Sequence, residues 1–85
     1  MGYRMHEMSI ALSIVDLADE QANLAHAGKI IEIELDIGTM SGVEVEALNF
    51  ALEIAAMDTL LEAAVVKINR ILEGREIQVK SILVE

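Results

Sequence analysis

The stretch that most constrains this chain is Ile30-Ile31-Glu32-Ile33-Glu34-Leu35-Asp36-Ile37, in which Ile31, Ile33, Leu35 and Ile37 alternate with Glu32, Glu34 and Asp36. A period of two is the side-chain period of a β-strand, so the segment predicts a strand with one apolar and one acidic face. Carboxylates are not buried without partners, so the acidic face is wet and the other face takes the covering layer. Gly38-Thr39-Met40 follows as a loop. The rest of the chain has to supply that single covering layer.

Helical spacing supplies it twice. From about Met8 to Ala25, at 100° per residue, Ser9, Ser13, Asp16, Asp19, Glu20 and Asn23 gather on one side. Ala11, Leu12, Ile14, Val15, Ala18 and Ala22 gather on the other. Gly28 reads as the helix stop, with His26 in the last turn, where a cation suits the helix dipole. Ser41 followed three residues later by Glu44 is a capping-box signature for a second helix, roughly Val43 to Met57. That helix has a narrow polar strip of Glu46, Asn49 and Glu53, while Leu48, Phe50, Ala51, Leu52, Ile54 and Ala55 fill most of its circumference. A helix apolar nearly all round needs more than one packing surface, and self-association as a homodimer is one way to provide it.

After a loop around residues 58–63, Val65 to Ile71 and Glu76 to Val84 read as two more strands. Leu72-Glu73-Gly74-Arg75 separates them, and Glu73-Gly74 suits a two-residue hairpin turn. That register sets Ile68 opposite Val79 and Val66 opposite Ser81, and it also opposes Lys67 to Lys80. The acidic face of the first strand would neutralise the lysine pair if the strands are neighbours. The alternation slips between Val79 and Ile82, which predicts a bulge near Lys80-Ser81. The expected fold is α+β, with two helices packed on one face of a three-stranded sheet, in the order helix-strand-helix-strand-strand.

Composition narrows the function. With 85 residues there is room for one domain. Fifteen carboxylates against 6 Lys and Arg give a net charge of −9, which argues against nucleic acid and anionic membrane as partners. The same charge suits cations or a basic protein surface. No apolar run approaches the ~20 residues of a membrane span. The start lacks the basic-then-apolar pattern of a signal peptide, so the expected location is the cytoplasm. There is no Cys, which removes disulfides and cysteine-based zinc sites from consideration. No Gly-rich phosphate loop, Ser-His-Asp pattern or Cys-His pattern is present, so the chain does not read as an enzyme.

The first candidate for chemistry is Met5-His6-Glu7. An imidazole beside a carboxylate near a chain terminus offers nitrogen and oxygen ligands on an adaptable backbone. Were Met5 the first residue, its amine, the intervening amide nitrogen and the His6 imidazole could close fused chelate rings around one ion. Nitrogen ligands in a plane are what tetragonal or square-planar Ni(II) and Cu(II) prefer. The residues also permit a plainer reading, in which Glu7 complements the amino end of the first helix and His6 is solvated. Other candidates are weaker. His26 reads as a helix-end residue; Met5, Met8, Met40 and Met57 read as core filler; Glu32, Glu34 and Asp36 read as a solvated strand face.

The string Met5-His6-Glu7-Met8-Ser9-Ile10-Ala11-Leu12-Ser13-Ile14-Val15 resembles the opening of the HypA family of hydrogenase nickel-incorporation proteins. The resemblance continues through Leu35-Asp36-Ile37-Gly38, Ser41-Gly42-Val43-Glu44, Glu46-Ala47-Leu48, Thr59-Leu60-Leu61-Glu62 and Ile77-Gln78-Val79-Lys80-Ser81-Ile82. It implies a metallochaperone that takes Ni(II) at the Met-His-Glu segment. Such a protein works with a GTPase partner to load the large subunit of nickel-iron hydrogenase, and in some organisms urease. Carried onto this chain, His6 would be the principal nickel ligand, with backbone nitrogens around Met5 beside it. Glu7 would be an accessory ligand or would support the ligands from outside. In some members an acidic residue at the position of Glu44 is proposed near the metal, which makes Glu44 an accessory candidate beside its capping role. The family also carries a zinc module with two Cys-x-x-Cys pairs between the last two strands. Here Leu72-Glu73-Gly74-Arg75 stands in that place, and no zinc site is expected. The domain so implied spans residues 5–85, with residues 1–4 as an extension ahead of the motif. The rival reading is a metal-independent protein-interaction or dimerisation module that keeps the fold.

Overall fold

The computed structural model describes residues 5–85; the expected extension at residues 1–4 lies outside them. Helix α1 (Met5–Leu24), strand β1 (Ile30–Gly38), helix α2 (Val45–Ala55), strand β2 (Val65–Ile71) and strand β3 (Ile77–Val84) follow in that order. The two helices cover one face of the three-stranded sheet, as the periodicities require.

The strand pairing differs from the expected hairpin. The sheet order is β2-β1-β3, with β1 parallel to β2 and antiparallel to β3. Turn chemistry at Glu73-Gly74 argues for local pairing, but burial decides against it. Ile33, Leu35 and Ile37 of β1 are 0–1% exposed, and only the central position surrounds a strand that fully. Charge points the same way, because the hairpin would have opposed Lys67 to Lys80. Instead Lys67 reaches Glu32 and Lys80 reaches Glu34, each at 3.7 Å, from opposite sides of β1.

The expected bulge is found: Glu34 faces Ser81 and Leu35 faces Val79, so Lys80 has no partner across the ladder. A second irregularity was not legible. Ile30 pairs with Val84 and Glu32 with Leu83, so Ile31 is the extra residue on β1. The bulge sends Ile30 into the core and turns Ile31 outward, against the alternation.

Because β1 lies between β2 and β3, the 72–75 turn must pass over the end of β1. Three backbone bonds fasten it there: Gly38 N–H to the Glu76 carbonyl (2.9 Å), Thr39 N–H to Ile71 (2.9 Å) and Met40 N–H to Gly74 (2.8 Å). The Glu73 N–H adds a bond to Thr39 Oγ1 (2.9 Å). A β-carbon on Gly38 would overlap the Gly74 carbonyl, which makes glycine obligatory at this crossing.

Helix α1 starts three residues earlier than its periodicity indicates and takes Met5-His6-Glu7 into its first turn. It ends at Leu24 and is closed at His26, not Gly28. His26 adopts φ 55°, and bonds from Ala27 N–H to the Ala22 carbonyl and from His26 N–H to Asn23 complete a Schellman closure. Its Ala11, Ile14, Val15, Ala18 and Ala22 are buried, whereas Leu12, expected on the same side, is half exposed.

Helix α2 is shorter than expected at both ends, and its cap is Glu44, not Ser41. The Glu44 Oε1 accepts the Ala47 N–H at 2.7 Å, while Ser41 Oγ reaches only the Val43 N–H. Leu48, Ala51 and Leu52 are buried. Phe50, Ile54 and Met57 remain exposed, so the wide apolar arc is only partly covered. Of the methionines expected in the core, Met8 packs against it, whereas Met40 and Met57 are exposed. Among the described residues no helix is long and apolar enough to cross a membrane.

Candidate metal-binding site

Consecutive residues on a helix point 100° apart, so His6 and Glu7 cannot share a face. His6 is solvent-exposed and stands at one end of a groove between α1 and β3, beside Ser9, Ile10, Ile77 and Val79. Glu7 turns the other way, toward α2. At 8% exposure it is the buried charged side chain among the described residues. Its Oε2 accepts the backbone N–H of Glu44 at 3.2 Å.

Glu44 therefore reaches the first turn of α1 through its backbone, and its own carboxylate is turned to capping α2. The fold brings Glu7 and Glu44 together across 37 residues of chain and leaves His6 outside that contact. Among the described residues no three His, Asp or Glu side chains converge as a ready-made cation site. What the first turn presents is one accessible imidazole on a helical backbone.

Residue Ala47 was the missed signal. In a capping box the third helical residue supplies an acceptor for the cap residue's own N–H. With Glu44 as cap that position is Ala47, which has none, so the Glu44 N–H takes its acceptor from Glu7.

The acidic face of β1 is a different environment. Asn69 Nδ2 donates to Glu34 Oε2 (2.8 Å) and to Asp36 Oδ1 (2.9 Å), and Ser81 Oγ bonds Glu34 Oε1 (3.4 Å). The Asn69 hydrogen bond, aided by Lys80 and Lys67 and opposed by partial desolvation, holds Glu34 below the usual carboxylate range. These carboxylates are engaged by protein donors and not simply solvated. His26 sits exposed just beyond the end of α1, on the closure that terminates the helix.

Fold and site together define a small α+β domain that carries an open imidazole on its first helical turn, next to a carboxylate fastened inward. The chain belongs to the HypA family, described as "Hydrogenase/urease nickel incorporation, metallochaperone, hypA", which matches residues 5–73. Its members are maturation factors, not enzymes. Among the relatives, the hydrogenase maturation factor HypA of Chlorobium limicola is 52% identical over 67 residues, covering 79% of this chain and 58% of its own. The factor of the same name from Parabacteroides distasonis is 52% identical over 60 residues, covering 71% of this chain and 52% of its own. The chain thus spans a little over half the length of these relatives. In fold it is similar to the solution structure of the nickel metallochaperone HypA from Helicobacter pylori, with a TM-score of 0.82 at 19% identity over 92% of this chain and 96% of that one.

Proposed function

We propose that this domain receives Ni(II) at the first turn of α1 and holds it for transfer during maturation of a nickel enzyme. The observation that carries the reading is the exposure of His6 inside the family-matched segment, while its neighbour Glu7 is buried. A neutral exposed imidazole is a good ligand for Ni(II), and amide nitrogens of the same turn complete a planar set when deprotonated. Met5 contributes through its backbone and His6 through its ring. Glu44, occupied with Ala47, is at most a late addition to the ligand set.

By family resemblance the nickel passes, with a GTPase partner, to the large subunit of nickel-iron hydrogenase in the cytoplasm. The net charge of −9 supports a cationic cargo and basic protein contacts. By family resemblance the 72–75 turn stands where the zinc module of the family would be; the family match covers residues 5–73. A second reading, an interaction or dimerisation module without metal, draws support from the exposed Phe50, Ile54 and Met57 on α2.

Nickel titration separates the two. The variant His6→Ala loses more than about 100-fold in affinity, beyond the effect typical of a residue that supports ligands from outside. His26→Ala binds as the parent does. If His6→Ala binds nickel as well as the parent, the interaction-module reading takes its place.

A further inference from the structure

The contact between Glu7 and Glu44 joins the proposed metal turn to the amino end of α2. Glu7 lies 37 residues away from the amide it accepts, and it is buried where a carboxylate is costly unless well bonded. Two helix amino ends meet at this carboxylate. Glu7 sits in the first turn of α1, and its Oε2 bonds the cap residue of α2, so both helix dipoles favour its charge. The bond is also one that α2 cannot make for itself, because Ala47 offers no acceptor to the Glu44 N–H.

From Glu44 the connection runs on. Ser41 Oγ bonds the Val43 N–H, Ser41 N–H bonds the Gly38 carbonyl, and Thr39 and Met40 are bolted to the 72–75 turn. Segment 38–44 is thus fixed at one end by the turn between β2 and β3 and at the other by Glu7.

Resting on the nickel reading of His6, we propose that Glu7 is a positioning residue, not a nickel ligand: its carboxylate caps α2 from α1, fixes the orientation of the His6 turn, and carries the state of that turn to the amino end of α2. The helix geometry supports this assignment, because a carboxylate turned onto Glu44 faces 100° away from the ring of His6. The metal set is then completed by nitrogen, and Glu7 decides how well the turn is preorganised to offer it.

The test is a Ni(II) titration of the full chain and of Glu7→Gln, Glu7→Ala and His6→Ala, followed by absorption spectroscopy and by the backbone amide resonance of Glu44. The Gln side chain keeps an acceptor for the Glu44 N–H, so Glu7→Gln loses less than about tenfold in affinity and its Glu44 amide still shifts on nickel addition. Glu7→Ala loses roughly 10–100-fold, the range for partners that orient ligands, and its Glu44 amide no longer responds. In both variants the nickel absorption bands stay where the parent has them, since no ligand is lost. Equal losses for Gln and Ala with displaced bands would make the carboxylate a ligand and overturn the proposal. A Glu44 amide that never responds to nickel in the parent would overturn the coupling. Failure of the nickel reading is separate: His6→Ala would then bind as the parent does, whereas the Glu44 resonance of the metal-free protein would still report the Glu7 contact.

Discussion

Two regions of this molecule carry carboxylates in suggestive patterns, and the fold treats them oppositely. On the outer face of β1, Glu32, Glu34 and Asp36 are met by Lys67, Lys80, Asn69 and Ser81 from strands on both sides. In the first turn of α1, Glu7 is drawn inward onto α2 while the imidazole beside it is left facing solvent. The first region has more acidic groups, and its donors come from the protein itself. The second has one solvent-accessible imidazole. Carboxylate density alone would therefore point to the face whose groups the fold has already partnered. What distinguishes the regions is whether the fold has already partnered the groups that a cation would need.

The largest effect expected from this contrast is that of His6→Ala on nickel affinity, more than about 100-fold, with the removal of Glu7 by Ala next at roughly 10–100-fold. A chain that begins at Met5 sharpens the comparison further. It places an amine within chelating distance of His6, so nickel binding strengthens and the spectrum gains planar, diamagnetic character. Identical binding by that chain and by the one starting at Met1 would remove the amine from the mechanism.

The smallest effect belongs to the sheet. Glu34→Gln leaves nickel affinity unchanged in a titration at neutral pH. Its signature lies in acid. Glu34 titrates below its ordinary value of 4.5 in the folded protein, so its charged form favours the native state. That contribution is complete above the ordinary value and is lost as pH falls from there through the lowered one. Thermal midpoints followed into acid should thus fall less steeply for Glu34→Gln than for the parent. A loss of nickel affinity in Glu34→Gln would instead bring the strand face into the metal site.

Much of this arrangement was legible in the sequence, and its omissions have physical causes. The alternation from Ile33 to Ile37 located β1, and the slip between Val79 and Ile82 located the bulge at Lys80. The partner of β2 was not legible, because a Glu-Gly turn signals local geometry and says nothing of a third strand that must be buried on both edges. The cap of α2 was displaced for a similar reason. Ser41-x-x-Glu44 has the letters of a capping box, but the acceptor for the Glu44 N–H comes from Glu7, and spacing within one helix cannot reveal a bond across 37 residues. The exposure of His6 against the burial of Glu7 follows from α1 starting at Met5, earlier than the apolar period alone indicates.

The central claim is that nickel is held by nitrogen at the His6 turn and not by the oxygen-rich face of β1. X-ray absorption of the nickel-loaded protein tests it most directly, because an imidazole ligand contributes a recognisable outer-shell scattering pattern. The account predicts a nitrogen-rich, planar nickel with one imidazole, and loss of that pattern in His6→Ala. A six-coordinate shell of oxygen atoms without imidazole, the same in the parent and in His6→Ala, would contradict it.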